Sequence, residues 1–371
     1  MLYVGLMSGT SMDGIDAVLL EVDEHGMRVR AATSRQWPDA LRARLRAAAE
    51  APAQVGLFEL GSLDAAAALE FAAATRGLLG AARLTAADIR AVGSHGQTLL
   101  HQPRAVPPFT LQIGDPSLMA EQLGIDVVAD FRRRDLAAGG EGAPLAPAFH
   151  QAAFGSTEEV RAVLNLGGIA NLTILDPERP VLGFDTGPGN CLMDAWVRRN
   201  FGQPYDPHGA WAAAGRHDAA LLAALLDEPY FARPAPKSTG RDLFSDEWLA
   251  ARLATTTLPA GDVQATLSEL TAQSITGALL RLPTRPARLL VCGGGIHNTF
   301  LLNRLAELLP FLAVQSTADY GIAPEHVEGA AFAWLAHRHV AGATANLPSV
   351  TGARHAVPLG GLFPGKAAVT E

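Results

Sequence analysis

The chain has 371 residues, 49% hydrophobic and 18% charged, which is long enough for about two domains with sizeable cores. Its net charge of −8 argues against a nonspecific nucleic-acid binder, although backbone N–H groups could still bind a nucleotide. The sequence shows no membrane span, no secretory signal and too few cysteines for a disulfide framework, so we expect a soluble cytoplasmic protein without nucleic-acid or membrane partners.

The first part of the chain is predicted to form strands and then helices. Residues 3–22 favour a strand pair, and a third strand is expected near residues 27–35. The alanine-rich region 39–84 has strong helix formers and apolar residues at helical spacing. Farther on, "TLQIGDPSLMAEQLG" predicts strand, turn and helix, with Asp115 as N-cap and Pro116 at the first helical position.

The rest of the chain repeats the pattern of strands, glycine turns and helices. "IDVVADFRRRDLAAGGEGAP" predicts a buried strand and a charged, glycine-rich loop, and "RAVLNLGGIANLTIL" predicts a second hairpin. "CGGGIHN" lies between a strand and an amphipathic helix, and "VEGAAFAWLAHRHV" predicts a late helix. We therefore expect two related α/β lobes with the site in the cleft between them. The first is expected at residues 1–130, completed by about 345–371, and the second at residues 131–344.

The loop "MSGTSMDG" follows an apolar strand with glycines, hydroxyl residues and one aspartate. Gly9 and Gly14 allow close approach of the backbone to a guest, and Asp13 offers a carboxylate to a metal ion. A phosphate suits such a turn, and an ordinary glycine-containing hairpin is the alternative.

A second glycine segment, "GGLFPGKA", comes near to a nucleotide-binding loop that ends in lysine. Ala367 stands where Ser or Thr is required after Lys366, and no strand is predicted before the segment. We interpret it as a surface tail.

The order of three glycine loops carries more information than each loop alone. "MSGTSMDG", "FDTGPGN" and "CGGGIHN" follow the order found in the actin-like, ribonuclease H-like fold of sugar kinases, actin and the heat-shock chaperones. In finer detail, "GLMSGTSMDGID", "GSHGQT", "VVADFRRRD", "NLGGIAN", "PKSTGRD" and "EGAAFAWLA" resemble the anhydro-N-acetylmuramic acid kinase family over nearly the whole chain.

This resemblance implies an ATP-dependent reaction of peptidoglycan recycling. The enzyme adds water at C1 of 1,6-anhydro-N-acetylmuramic acid and transfers the γ-phosphoryl group to O6, giving N-acetylmuramic acid 6-phosphate and ADP. Asp185, in the loop of the second lobe, is the expected base for the water. A turn-capping role is the alternative reading of this aspartate.

Phosphate binding and Mg²⁺ are expected at the glycine loops, because phosphoryl transfer needs alignment and charge neutralisation. Asp13 is expected to orient Mg²⁺ through water. The triple glycine would pass beneath the nucleotide, or would serve only close packing of strand and helix. The residues expected at ATP are Gly9, Thr10, Ser11, Met12, Asp13, Gly14, Gly187, Gly189, Gly293, Gly294 and Gly295.

Sugar recognition is expected from polar residues outside those loops. His95 and Gln97 lie in a polar turn, and Arg132 or Arg134 would bind the lactyl carboxylate as a bidentate partner. Glu328 lies at the start of the late helix, where the helix dipole favours a carboxylate in any case, and it could also bind a sugar hydroxyl.

Other readings remain open at this point. Lys237 in "PKSTGRD" is a candidate for the nucleotide phosphates or for a loop surface. The alternatives for the whole chain are an actin-fold kinase for another sugar or small acid, and a nucleotide-gated binding protein without enzymatic activity. The resemblance also admits a homodimer.

Overall fold

The computed structural model describes residues 1–240, 242–254 and 256–365. Its contacts divide the chain into two compact units. Unit 1 contains Met1–Ala153 and the chain from His326 onward, and unit 2 contains Phe154–Glu325. These boundaries differ from the expected ones at residues 130 and 344, because residues 131–153 and 326–344 pack within unit 1.

The strands are numbered in chain order. They are β1 (Leu2–Met7), β2 (Ile15–Asp23), β3 (Gly26–Arg35), β4 (Ile89–Ser94), β5 (Gln97–Gln102), β6 (Phe109–Ile113), β7 (Val127–Ala129), β8 (Arg161–Leu166), β9 (Ile169–Leu175), β10 (Leu182–Pro188), β11 (Arg288–Cys292), β12 (Ala313–Ser316) and β13 (Gly361–Phe363).

The helices are numbered in the same way. They are α1 (Asp39–Glu50), α2 (Leu57–Ala82), α3 (Pro116–Leu123), α4 (Phe131–Ala137), α5 (Ala146–Phe154), α6 (Cys191–Phe201), α7 (Ala210–Ala214), α8 (Ala219–Leu226), α9 (Pro229–Ala232), α10 (Asp246–Leu253), α11 (Ala260–Leu280), α12 (Thr299–Leu308), α13 (Val327–Val340) and α14 (Pro348–Thr351). The predicted start of α3 is confirmed, since the Asp115 carboxylate accepts hydrogen bonds from the amides of Ser117 and Leu118.

The main sheet of unit 1 has the strand order β13-β7-β4-β1-β2-β3. β1, β2 and β3 form an antiparallel meander, while β4 pairs parallel to β1 and β7 pairs parallel to β4. β5 and β6 form a separate hairpin. The first loop therefore lies at the turn between the antiparallel neighbours β1 and β2.

The sheet of unit 2 repeats this plan with the order β10-β9-β8-β11-β12. β8, β9 and β10 form an antiparallel meander, and β11 and β12 extend it in parallel from β8. This repeated topology confirms the prediction of two related α/β units and is that of the actin-like, ribonuclease H-like fold.

α13 packs directly on β1 and β4 of unit 1, and glycines make the close approach possible. A Cβ atom on Gly5 would overlap the carbonyl oxygen of Gly329, and one on Gly93 would overlap the carbonyl oxygen of Phe332. The helix predicted at "VEGAAFAWLAHRHV" is confirmed, and its small residues explain how it fits so closely against the sheet.

Two segments differ from their sequence-based predictions. The segment "DFRRRD", which was expected to begin a charged loop, forms most of a short helix, α4. This helix is held in place because its apolar residues Phe131 and Leu136 are buried. "GGLF" is part of the sheet, since Gly361–Phe363 pairs antiparallel with β7. Lys366 and Ala367 of the expected tail lie outside the described residues.

Candidate functional site

The first loop joins β1 to β2, and hydrogen bonds from its own residues and from Trp37 fix its conformation. The Ser8 hydroxyl donates to the Gly14 carbonyl oxygen at 2.8 Å and accepts from the Trp37 indole N–H at 3.1 Å. The Met12 amide donates to the Gly9 carbonyl oxygen at 3.1 Å, and the Met12 side chain belongs to the core of unit 1. Ser8 and Met12 therefore shape the loop. Because the Met12 amide is already bonded and its side chain is buried, the expected contact of Met12 with ATP stays a prediction.

The other polar groups of this loop are accessible. Thr10 and Asp13 are exposed and Ser11 is half-buried. Arg46 of α1 donates to the Ser11 carbonyl oxygen at 3.2 Å, and its guanidinium lies 4.0 Å from the Asp13 carboxylate. Hydroxyls, amides and an arginine suit a phosphate, and one exposed carboxylate suits Mg²⁺, which keeps several of its waters. Within the described residues, no three His, Cys, Asp or Glu side chains gather as a metal site.

The turn between β4 and β5 supports the first loop. The His95 amide donates to the Leu6 carbonyl oxygen at 3.0 Å. The Gln97 side-chain nitrogen donates to the carbonyl oxygens of Gly9 and Thr98, each at 3.3 Å. Gln97 is fully buried, and its Oε1 has no hydrogen-bond partner in the described part of the chain. That oxygen is enclosed by protein, so the contact of Gln97 with the sugar stays a prediction.

His95 is paired with Arg132 of α4. The Arg132 Nε and Nη2 atoms lie 3.1 and 2.9 Å from His95 Nε2, and Nη1 donates to the Gly142 carbonyl oxygen at 2.9 Å. Because a guanidinium can only donate, His95 Nε2 must be unprotonated. Burial first, and then the charge of Arg132, hold the pKa of His95 well below its ordinary value. The pair is therefore a neutral imidazole and a charged guanidinium.

Two carboxylates act on this arginine. Burial lowers the pKa of Arg132 to about 10, while the charges of Glu328 and Asp135 oppose that shift. Glu328 is accessible at the start of α13, but enclosure of its carboxyl group raises its pKa. The neighbouring charge of Asp16 raises that pKa further and Arg132 lowers it. The structure thus brings His95, Arg132 and Glu328 into one electrostatic group.

The other arginines of the motif are placed differently. Arg134 is exposed in the last turn of α4. The guanidinium of Arg133, which sequence reasoning did not select, lies 3.5 Å from the Asp130 carboxylate. Asp130 and Arg133 line a pocket of about 450 Å³ in unit 1, together with Ser94, His95 and Gly96, whereas Arg134 is not part of its lining.

Asp185 lies near the end of β10, and a distant segment holds it on both sides. The Thr239 amide donates to Asp185 Oδ2 at 2.9 Å, and the Asp185 amide donates to the Lys237 carbonyl oxygen at 3.0 Å. The Tyr230 hydroxyl donates to the Asp185 carbonyl oxygen at 2.8 Å. Burial raises the pKa of Asp185 to about 6, against the opposing effect of the Thr239 N–H. Its carboxylate therefore has the pKa of a base that works near neutral pH.

The ammonium group of Lys237 points into the protein. Its Nζ donates to the carbonyl oxygens of Tyr230 at 3.0 Å and Phe231 at 3.3 Å, and it lies 4.5 Å from the centre of the Tyr230 ring. Burial lowers its pKa to about 8. These contacts tie α9 to the segment that carries Thr239, whereas Arg241 of the same motif lies outside the described residues.

In the loop after Asp185, other parts of the protein fill the space that a side chain at Gly187 or Gly189 would occupy. A Cβ atom on Gly187 would lie 2.6 Å from the Phe231 ring, and one on Gly189 would overlap the Gly167 carbonyl oxygen. The Gly189 amide donates to the Gly168 carbonyl oxygen at 2.9 Å. These two glycines are required by packing, and their contact with phosphate stays a prediction.

The triple glycine after β11 combines packing with an open face. A Cβ atom on Gly293 would overlap the Asn165 side chain, and one on Gly295 would lie 2.6 Å from the Leu166 Cβ atom. Gly294 has open space beside it. Gly294 and Gly295 line a pocket of about 470 Å³ within unit 2. The other residues of its lining are Asn190, Met193, Asp194, Tyr205, Asp206, Pro207, His208, His297 and Asn298.

Sequence reasoning missed two parts of this arrangement. The segment of Tyr205 and His208 lines the unit 2 pocket, and its turn residues in "PYDPHG" are the only signal that it would form a loop at a site. Thr239 donates a hydrogen bond to Asp185 through its backbone amide. Every residue except proline has such an amide, so the sequence gives no signal for this contact.

None of the helices in the described part of the chain is both long and apolar enough to cross a membrane.

A family model and curated relatives match nearly the whole length of the chain. A family model described as anhydro-N-acetylmuramic acid kinase matches residues 1–365. An anhydro-N-acetylmuramic acid kinase of Xanthomonas axonopodis pv. citri (strain 306) is 53% identical over 98% of both chains. One of Shewanella sp. (strain MR-7) is 50% identical over 98% of this chain and 99% of the relative. A solved structure of a ROK family glucokinase from Streptomyces griseus covers 90% of this chain and 100% of its own, at 15% identity and a TM-score of 0.41.

Proposed function

The chain belongs to the anhydro-N-acetylmuramic acid kinase family, and from this premise we propose that it opens and phosphorylates 1,6-anhydro-N-acetylmuramic acid at the expense of ATP. Water adds at C1, the bond between C1 and the bridging oxygen breaks, and that oxygen, O6, takes the γ-phosphoryl group. The products are N-acetylmuramic acid 6-phosphate and ADP. The observation that carries the proposal is Asp185, a carboxylate whose pKa of about 6 suits a base for water.

Asp185 would accept the proton of the attacking water. The Thr239 amide donates to Oδ2 at 2.9 Å. The Lys237 carbonyl oxygen and the Tyr230 hydroxyl hold the amide and the carbonyl oxygen of Asp185 itself. A base fixed in this way loses little orientational freedom when substrate binds. General-base assistance of this kind contributes about 10²–10⁴-fold to the rate.

The first loop and the triple glycine would hold ATP. Accessible backbone and hydroxyl groups of Gly9, Thr10 and Ser11 suit the phosphates, and the open pocket beside Gly294 suits the nucleoside. Mg²⁺, when bound, neutralises charge on the phosphates. Asp13 would orient it through water, because its carboxylate is exposed and no group of three metal-ligating side chains forms among the described residues.

Arg132 would bind the lactyl carboxylate of the sugar. Its Nε and Nη2 atoms face His95, and its third hydrogen bond goes to the Gly142 carbonyl oxygen. Glu328 and the free Oε1 atom of Gln97 would accept hydrogen bonds from sugar hydroxyls. Arg134 is the weaker candidate because it is exposed at the far turn of α4.

We also propose that the reaction takes place in the cytoplasm, where ATP is available, and that it serves peptidoglycan recycling. The homodimer remains a prediction of the family resemblance.

The experiment that tests the proposal is product analysis in ¹⁸O-labelled water with MgATP and 1,6-anhydro-N-acetylmuramic acid. We expect a sugar phosphate that carries the label at C1. Authentic N-acetylmuramic acid 6-phosphate, incubated in the same water for the same time, corrects for exchange of the C1 hydroxyl. An unlabelled phosphate that keeps its anhydro ring would identify a kinase that phosphorylates another hydroxyl. ATP cleavage without sugar phosphate would leave the fold without this activity.

A further inference from the structure

Asp135 closes the "DFRRRD" motif, and the proposed reaction gives it no role. Its side chain is fully buried. Oδ1 accepts hydrogen bonds from Asn346 Nδ2 at 2.7 Å and from the Thr351 hydroxyl at 2.8 Å. Oδ2 accepts from the Gly142 amide at 2.8 Å. A buried carboxylate that accepts three hydrogen bonds fixes the position of every group that donates to it.

Gly142 connects this carboxylate to the sugar side of the site. While its amide donates to Asp135, its carbonyl oxygen accepts from Arg132 Nη1 at 2.9 Å. A Cβ atom on Gly140 would overlap the Asp135 carboxylate, so the glycine-rich loop lies directly against it. Any shift of the Asp135 side chain therefore moves the acceptor that holds the arginine.

The hydrogen bonds of Arg132 leave two of its N–H groups for a ligand. Nε and one N–H of Nη2 face His95, and one N–H of Nη1 faces Gly142. One N–H remains on each terminal nitrogen, and a carboxylate accepts charge-assisted hydrogen bonds from groups of this kind. The position of the Gly142 carbonyl oxygen thus decides which way these two N–H groups point.

We propose that Asp135 is a positioning residue for substrate binding, which sets the Arg132 guanidinium for the carboxylate of the acidic sugar through the loop at Gly142. The C-terminal segment takes part in this device, because Asn346 and Thr351 donate to the same carboxylate oxygen. The Asn346 Oδ1 atom is itself held by the Val357 amide at 2.7 Å. This inference rests on the proposed function, since it assumes an acidic sugar at Arg132.

The hydrogen-bond pattern supplies a test by exchange of partners. In Asp135→Asn, an amide replaces an acceptor that faces three donors, so one donor loses its partner. In Asn346→Asp, two carboxylates would face each other at the distance of the present hydrogen bond. In the double variant Asp135→Asn with Asn346→Asp, the new amide can donate to the new carboxylate and still accept from Gly142.

The measurement is steady-state kinetics of the four proteins on 1,6-anhydro-N-acetylmuramic acid and ATP. We expect Asp135→Asn to raise KM for the sugar roughly 10- to 100-fold, as a displaced binding group does, while KM for ATP stays within about twofold. The double variant should return KM for the sugar to within about fivefold of the wild type. Val350→Ala is the matched control, because it removes buried apolar volume from the same C-terminal segment without touching the hydrogen bonds.

A purely structural role gives a different result and overturns the proposal. In that case Asp135→Asn would lower the midpoint of thermal unfolding, as Val350→Ala does, with both KM values unchanged. Should Asp135→Asn not fold, Asn346→Ala decides, since it keeps the carboxylate but removes its donor at 2.7 Å. An unchanged KM for the sugar in that variant overturns the proposal too.

Failure of the proposed function would be seen separately. A wild-type protein without activity on the acidic sugar, or an Arg132→Lys variant with an unchanged KM for it, would remove the premise. A normal loss in Arg132→Lys together with no effect of Asp135→Asn would overturn only the positioning role.

Discussion

Asp185 combines a half-buried carboxylate with a pKa of about 6, and this makes the reaction dependent on pH. A general base must be ionised, so we expect kcat/KM to fall about tenfold per pH unit below about pH 6. Asp185→Asn should lower kcat by about 10²–10⁴-fold and remove this acid limb from the residual activity. The measurement is a pH–rate profile of both proteins at saturating ATP. An acid limb retained by Asp185→Asn would assign it to another group.

The same carboxylate should cost stability. Its pKa is about 6 in the folded protein and about 3.8 in the unfolded chain, so folding favours the neutral form. The cost is absent below about pH 3.8, grows as pH rises through this window and is complete above about pH 6. At pH 7.5, Asp185→Asn should therefore stabilise the protein by at most about 3 kcal/mol. Unfolding curves at pH 7.5 and at pH 4 should show the gain only at the higher pH.

The arginines of "DFRRRD" offer a test of the sugar site. Arg132→Ala should raise KM for the acidic sugar roughly 10- to 100-fold, because a charged hydrogen-bonding partner is lost from the site. Arg134→Ala, at an exposed position of the same helix, should stay within about twofold. Kinetics with both variants, at fixed saturating ATP, compare the two directly. The reverse order of effects would move the carboxylate site to Arg134.

Candidate site residues could be proposed from the sequence where their chemistry is local, but the contacts between distant segments could not be foreseen. Asp185 and the first loop carry their signals in the side chains and glycines themselves. Gln97 has a polar side chain that suggests a ligand contact, yet its amide supports the Gly9 carbonyl oxygen. Lys237 suggests a phosphate contact, yet its ammonium group binds the carbonyl oxygens of Tyr230 and Phe231. Direction and partner of such a side chain depend on packing that no local pattern specifies.

At the scale of elements, the contact of α13 with the sheet of unit 1 should be intolerant of added volume. Gly93→Ala places a methyl group on the Phe332 carbonyl oxygen and should destabilise the protein by about 3 kcal/mol or more. Gly77→Ala is the control, because this exposed glycine of α2 has nothing beside it. A helical alanine there should stabilise the protein by about 0.5–1 kcal/mol. Denaturant unfolding of the two variants should give shifts of opposite sign, and a harmless Gly93→Ala would contradict the packing.

Elements with a strong periodic pattern were predictable, while short ones were not. The three strands at the start and the helix α13 are confirmed. β1, β2 and α13 carry long runs of apolar or small residues, whereas Met27 and Val29 alternate with arginines in β3. α4 was expected to be a loop because three arginines and the following glycines hide its two buried apolar residues. β13 has only three residues and gains its partner β7 from a part of the chain far away in sequence.

At the scale of the whole molecule, nucleotide and sugar should leave separable traces. A non-hydrolysable ATP analogue should slow amide exchange at residues 205–208 and 293–298 of unit 2, by up to about 100-fold at 100 times its Kd. The sugar alone should slow residues 94–97 and 131–142 of unit 1. Hydrogen exchange with mass spectrometry measures both, with the Asp185→Asn variant used to hold the substrates intact. A nucleotide that leaves residues 293–298 unprotected would contradict the pocket assignment.

The division into two α/β units was predictable from the repeated hairpin, but its boundaries were not. Residues 326–344 follow unit 2 directly in sequence and pack with unit 1, because α13 covers β1 and β4. The sequence near residue 326 contains no pattern that would indicate that the chain passes from unit 2 back to unit 1. Gly5, Gly93 and Gly329 mark the contact only once the helix and the strands are known to be neighbours.

The return of the chain has a consequence during translation. The ribosome must synthesise all of Phe154–Glu325 before α13 exists, which takes roughly 10–30 s at bacterial rates. Through that time the apolar faces of β1 and β4 lack their helix, whereas unit 2 emerges as one uninterrupted segment. The second half of the molecule can therefore fold on the ribosome while the first half waits.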